Sequence, residues 1–179
     1  NGITIKTLMP MEIYHGSNIA VKEPIAYAGR RNLDFGKGFY TTRIKSQARK
    51  WAFLVASRKD KNPQGIISIY ELNEDFLISK DFVYKSFPAY DREWLEFVVS
   101  CRQGKDKTKY DIIEGGVAND QVIDTIEDYE NGRITAEQAL DQLRYKKPNN
   151  QICFRNQVFI DKFIKFQDSE AVRKEDILK

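Results

Sequence analysis

One histidine, two cysteines, two methionines and five prolines are all that 179 residues contain of these types. Each shortage excludes a class of chemistry. With His15 alone, and Cys101 and Cys153 far apart, the ligand set of a structural zinc site is missing, and no metal is expected. A Ser/His/Asp or Cys/His hydrolase would have to be built on that same His15. The two cysteines fall in a predicted helix and a predicted strand, so they read as reduced core thiols of a cytoplasmic protein rather than as a disulfide. No apolar run approaches the roughly 20 residues that span a bilayer. The first ten residues also lack the basic start and apolar core of a signal peptide, so no membrane partner is expected.

What is present suits a folded soluble chain: 41% hydrophobic and 31% charged residues, enough for one well-buried domain and short for two. That domain is expected over residues 11–167. Residues 1–10 read as an extension partly foreign to the natural chain, since Met9 and Met11 both look like natural starts, and residues 168–179 read as a charged, frayed tail. The formal net charge of +3 hides a division. Lys22 to Lys61 holds eleven Lys/Arg against three acids, and Asp111 to Gln142 holds nine Asp/Glu against Arg133 alone. Two solvated helix faces account for this. That is the default account; the sharper one is a basic rim for phosphates with an acidic lobe for a basic partner.

The richest stretch is Asp34 to Trp51. Gly36 and Gly38 bracket Lys37, Phe39-Tyr40-Thr41-Thr42 suits a short buried strand, and from Ile44 the period becomes helical. Ala48, Trp51, Ala52, Leu54 and Val55 share one face of that helix. Tyr40 leaves a strand and Trp51 lies about two turns into the helix, so both are expected to wall one pocket. Before it, Met11 to His15 reads as a strand stopped by Gly16-Ser17-Asn18. After it, Ile66 to Leu72 is a strand, Phe76 to Tyr84 one or two short strands, and Tyr90 to Gln103 a helix with Trp94, Phe97, Val98 and Cys101 on one stripe. Tyr110 to Glu114 is a strand. Asp120 caps a helix to about Glu130, and Thr135-Ala-Glu-Gln138 is a capping box opening another. Gln151 to Phe154 is a strand, and Val158 to Gln167 is either a helix then a strand or one edge strand. The fold class is α+β, with two helices inserted before the penultimate strand.

Three polar residues, His15, Tyr40 and Gln151, thus stand at the ends of separate predicted strands. His15-Gly16-Ser17, Phe35-Gly36-Lys37-Gly38-Phe39-Tyr40 and the Ser46 to Trp51 helix resemble, in order and spacing, the ADP-ribosyltransferase superfamily of diphtheria-toxin and poly(ADP-ribose) polymerase type. Over nearly all of Met11 to Gln167 the chain is similar to an uncharacterised bacterial domain family placed in that superfamily. That family shares Asp34-Phe-Gly-x-Gly-Phe-Tyr40, Val117-Ala-Asn-Asp120 and Asn150-Gln151.

The resemblance implies split mixed and antiparallel sheets around an NAD cleft with flanking helices. It also implies NAD+ as co-substrate, and a mono-ADP-ribosyltransferase acting on a protein or nucleic acid, a bacterial toxin or effector with an antitoxin partner. His15 would bond a ribose hydroxyl, Gly16 the carboxamide, and Tyr40 and Trp51 would stack on nicotinamide. Arg30, Arg31 or Lys37 would meet the pyrophosphate, with Ser17, Gly36, Gly38 and Ser46 completing the site. Where polymerase-type enzymes carry glutamate, this chain has Gln151, a dipole without charge or useful basicity. Chain elongation is then not expected, while single transfer and NAD hydrolysis stay open. A non-catalytic NAD- or partner-binding module of the same fold is the alternative, and a nucleic-acid binder using Lys22 to Lys61 is a third.

Overall fold

The patterned stretches become seven strands and six helices among the described residues of the computed structural model, which are 10–61, 63–119 and 122–177. In chain order they are β1 (Met11–Ser17), β2 (Phe39–Thr41), α1 (Lys45–Ser57), β3 (Gly65–Leu72), α2 (Phe76–Ser79), β4 (Tyr84–Phe87), α3 (Arg92–Arg102), β5 (Ile112–Gly115), α4 (Ile123–Glu130), α5 (Ala136–Leu143), β6 (Gln151–Phe154), α6 (Gln157–Phe163) and β7 (Ile164–Val172). The α+β class holds, with two helices ahead of the penultimate strand. One sheet is antiparallel and the other mixed.

The chain forms two compact units. The first gathers the residues up to Pro24, Thr41–Phe82 and those from Gln157 on. β3 is its middle strand, with β1 and β7 antiparallel on either side. Strand alternation sends Tyr14, Ile67 and Ile69 to one face, where Ala48 and Ala52 of α1 cover them. Small residues set that approach: a Cβ on Gly65 would come within 2.7 Å of the Ala52 backbone. Phe76 and Phe82 each pack edge-on against Phe159 and Phe163, with centroids 4.9 Å apart for Phe76–Phe159 and 5.7 Å for Phe82–Phe163, while Phe159 stacks on Phe163 at 4.8 Å.

The second unit takes Ile25–Tyr40 and Val83–Asn156. Its sheet runs β2-β6-β5-β4, with β4 parallel to β5 and β5 antiparallel to β6. α3 buries Trp94, Phe97, Val98 and Cys101, the stripe expected from spacing. Asp91 caps it, its Oδ1 accepting from the Trp94 N–H at 2.9 Å. The Trp94 indole N–H donates to the Gly116 carbonyl at 3.1 Å, so the largest core side chain is buried with its polar atom satisfied. The capping box of α5 forms as expected: Thr135 Oγ1 accepts from Gln138 N at 3.2 Å, and Gln138 Oε1 from Thr135 N at 2.8 Å.

Several boundaries differ from the sequence expectation. β1 runs on through Gly16 to Ser17 instead of stopping after His15. Phe76 to Ser79 is a helical turn, not a strand, ended by Lys80 at φ 54°. Leu54 is 54% exposed, because the buried stripe of α1 is Ala48, Ala52 and Ala56. β7 continues past Gln167 to Val172, so charged residues expected to fray form part of a strand paired with β3. The expected cap Asp120 lies outside the described residues, as do residues 1–9 of the expected extension; the helix itself begins at Ile123.

Candidate functional site

The site residues read from sequence divide between the two units. His15, Gly16, Ser17, Ser46 and Trp51 belong to the first. Arg30, Arg31, Gly36, Lys37, Gly38, Tyr40 and Gln151 belong to the second.

In the first unit, Gly16 is buried under α1. A Cβ there would collide with the Ala48 carbonyl, lie 2.7 Å from the Ala52 nitrogen and 3.1 Å from the Trp51 Cβ. No residue but glycine fits, and the fit brings the His15-Gly16 strand against the middle of the Trp51 helix. Alternation turns the His15 side chain to the opposite face of β1 from Gly16 and α1. There it pairs in register with the buried Ser68 of β3. Ser68 Oγ accepts from the Val21 N–H at 2.9 Å, and the Tyr70 hydroxyl donates to the Val21 carbonyl at 2.5 Å; together they pin the loop that follows Ser17. Tyr14 and Thr42 exchange backbone hydrogen bonds of 2.9 Å each way, so β1 is bridged to the segment that follows Tyr40 in sequence. Ser46 is turned elsewhere: with Arg49, Lys50, Glu170 and Asp176 it lines a groove of about 690 Å³ beside the end of β7.

In the second unit, the Asp34 to Tyr40 turn is held by hydrogen bonds at Asp34, Phe35, Gly36 and Tyr40. Gly36 has φ 72°, a conformation that favours glycine, and its N–H donates to the Leu33 carbonyl at 2.9 Å. A Cβ on Gly38 would strike the Cys153 sulfur, so β2 lies tightly on β6. The Tyr40 hydroxyl accepts from Phe35 N at 3.0 Å and donates to the Gly36 carbonyl at 2.5 Å. Burial, and the neighbouring Cys153, push this phenol far above its ordinary range, so the hydroxyl keeps its proton at neutral pH. Its ring packs against the core of the unit.

Two residues with no role assigned from sequence prove central. Arg155, just past β6, donates from Nη2 at 2.7 Å and Nε at 3.1 Å to the Phe35 carbonyl, and from Nη1 to Asp106 at 2.8 Å and Thr108 at 3.3 Å. Its Nη2 also reaches the Cys101 sulfur at 3.5 Å. Every donor of this guanidinium is therefore engaged. Arg155 shares a groove of about 310 Å³ with Gly36, Arg31 and Lys37, so the cations there still open to an anion are Arg31 and Lys37; Arg30 does not line it. None of His15, Tyr40 and Trp51 lines either groove.

Asp34 is the other. Its Oδ2 accepts from Ala118 N at 2.9 Å and from Gln151 Nε2 at 3.5 Å, and its Oδ1 faces Arg102 Nη1 at 3.4 Å. The side chain is only 13% exposed. Burial raises its pKa above the ordinary carboxylate value, against the opposing pull of the Ala118 N–H, Arg102 and Gln151. Gln151, 3% exposed at the start of β6, also donates from Nε2 to the Gly116 carbonyl at 3.1 Å. A buried acid within a glycine-rich turn was the available signal for Asp34; its partner Gln151 lies 117 residues away.

Among the described residues, no group of three or more His, Cys, Asp or Glu is arranged to hold a metal, and no helix is long and apolar enough to cross a membrane. A family model described as "Protein of unknown function (DUF3990)" matches residues 11–166. No curated protein and no solved structure matches the chain.

Proposed function

The chain belongs to the DUF3990 family, whose function is unknown; from the resemblance of its His15-Gly16, Phe35 to Tyr40 and Ser46 to Trp51 motifs we propose that it is a mono-ADP-ribosyltransferase, moving ADP-ribose from NAD+ to a protein or nucleic acid in a toxin–antitoxin setting. The observation that carries the reading is the seating of Gly16 beneath α1, which joins the His-Gly motif of the first strand to the aromatic-bearing helix. In the reaction the bond from ribose C1′ to nicotinamide breaks and its electron pair goes to the ring nitrogen. The acceptor then bonds to C1′ and gives its proton to its own base or to water. The resemblance assigns the ribose to His15 and the cationic nicotinamide to an aromatic ring, Tyr40 or Trp51. Arg31 and Lys37, which share one groove, meet the pyrophosphate. Gln151 contributes a carbonyl dipole to the positive charge that develops on the sugar.

Incubation with NAD+ and a cell lysate tests this by chromatography of released nicotinamide and detection of ADP-ribose adducts. Both are expected, and both fall sharply in His15→Ala. Nicotinamide without adducts identifies an NAD glycohydrolase. If neither product appears and His15→Ala behaves as the parent does, the enzymatic reading is wrong. One observation favours a non-catalytic NAD- or partner-binding module instead: the Gln151 amide nitrogen is committed to Asp34 and Gly116. That reading requires calorimetric binding of NAD+ without turnover, unchanged by Gln151→Ala.

A further inference from the structure

The orientation of the Gln151 amide is fixed by chemistry. Its Nε2 faces the Gly116 carbonyl at 3.1 Å, which can only accept, and the Asp34 carboxylate at 3.5 Å, which only accepts while ionised. The NH2 group must therefore point at them. The Oε1 atom is then directed away from both. A neutral side chain at this position thus comes with a defined polarity, and a buried carboxylate stands behind its positive end.

The surroundings do not cancel that carboxylate. Among the described residues Arg102 of α3 is the one cation paired with Asp34, and its guanidinium also serves Glu130 of α4 at 3.2 Å and Glu127 at 3.8 Å. Three carboxylates share one positive charge. The remaining titratable neighbours, Tyr40 and Tyr90, stay neutral because burial raises both. We propose that Asp34 is the positioning residue of this site: with the Gly116 carbonyl it holds the Gln151 NH2, so that Oε1 faces the reacting sugar, and it supplies the negative charge that position 151 lacks. This rests on the NAD+ reading above. It adds that the missing carboxylate has moved one hydrogen bond back, from the late strand to the glycine-rich turn.

The experiment measures nicotinamide release against NAD+ concentration and pH for the parent, Asp34→Asn, and the exchange variant Asp34→Asn/Gln151→Glu, each checked by thermal melting. Asp34→Asn is expected to lower kcat about tenfold or more with little change in KM, as loss of one electrostatic group does. In the parent, kcat falls as the pH drops through the raised pKa of Asp34, because protonation removes the charge; Asp34→Asn loses that limb. The exchange variant carries the same formal charge from the other side of the contact and is expected to recover most of the turnover. A purely structural Asp34 would give neither the vanished limb nor the recovery. Should Asp34→Asn not fold, turnover by a folded exchange variant still supports the proposal. An active parent with an equally active Asp34→Asn, or a loss that the exchange does not restore, overturns this proposal alone. A parent that releases no nicotinamide overturns the NAD+ reading, and this proposal with it.

Discussion

The guanidinium of Arg155 grips the carbonyl oxygen of Phe35 with two nitrogens, Nη2 at 2.7 Å and Nε at 3.1 Å. One side chain at the exit of β6 thereby fixes the glycine-rich turn from which Tyr40 emerges. Its remaining donors go to Asp106, Thr108 and Cys101, so the turn, the loop after α3 and the end of β6 form one rigid corner of the second unit.

Arg155→Ala leaves the Asp106 carboxylate and the Phe35 carbonyl without this partner. The expected cost is about 2–3 kcal/mol, since hydrogen bonds to charged groups exceed neutral ones and a stranded buried acceptor adds its own penalty. Arg155→Lys keeps the charge and loses the two-pronged grip, so it falls between alanine and the parent. Urea unfolding monitored by circular dichroism gives both values.

Glycine replacements separate two kinds of constraint. Gly132 has φ 71° but no atom within 4 Å of where a Cβ would sit, so Gly132→Ala costs only backbone strain, about 1 kcal/mol. At Gly16 the added carbon meets the α1 backbone, which must shift, and the cost rises to about 2–3 kcal/mol. Thermal melting should rank Gly16→Ala well below Gly132→Ala. An equal loss in both would mean that α1 yields freely.

Cys101 and Cys153 are free, buried thiols, and burial pushes each up to about 12 from an ordinary value of 9.0. Between those values the unfolded chain loses these protons while the folded chain keeps them. Stability from this source is therefore complete below pH 9 and is lost as the pH rises toward about 12. An aromatic disulfide reagent at about pH 8, where the unfolded thiol is already partly ionised, should find no reactive thiol in the native protein and two in denaturant. Rapid native labelling would contradict the burial.

Tyr40→Phe isolates the ring from the hydroxyl. The hydroxyl serves Phe35 N and the Gly36 carbonyl, so its removal should cost about 1–2 kcal/mol of stability. Nicotinamide release per folded molecule should stay within about threefold, because the proposed role belongs to the ring. Tyr40→Ala should lose both. A Tyr40→Phe that folds like the parent but does not turn over would move the role to the oxygen.

Residues whose partners are local, or whose stripe is made of large side chains, could be read from the sequence. Trp94, Phe97, Val98 and Cys101 declare one helical face, and Thr135 with Gln138 declares a helix start; both form as read. Phe76-Leu-Ile-Ser79 misled because so short an apolar run has no decisive period. α1 was legible in part: Ala48 and Ala52 of the expected face do meet Gly16 and Gly65, but Leu54, read onto that same face, is exposed, and Ala56 completes the buried stripe. Arg155 and Asp34 acquire their meaning from partners 120 and 117 residues away, and no window of local sequence contains such a pair. The motifs themselves stood out readily, but the support beneath them did not.

The order β1-β3-β7 has a consequence for how the polypeptide is made. As synthesis proceeds, β1 and β3 with α1 over one face form an incomplete sheet, in which one edge of β3 stays unpaired until residues 164–172 have left the ribosome. By then every residue of the second unit, through Asn156, has already emerged. Vectorial folding therefore completes the later-starting unit first, and a stop codon ahead of Ile164 would leave the strand bearing His15 without a finished sheet while sparing the strand bearing Gln151.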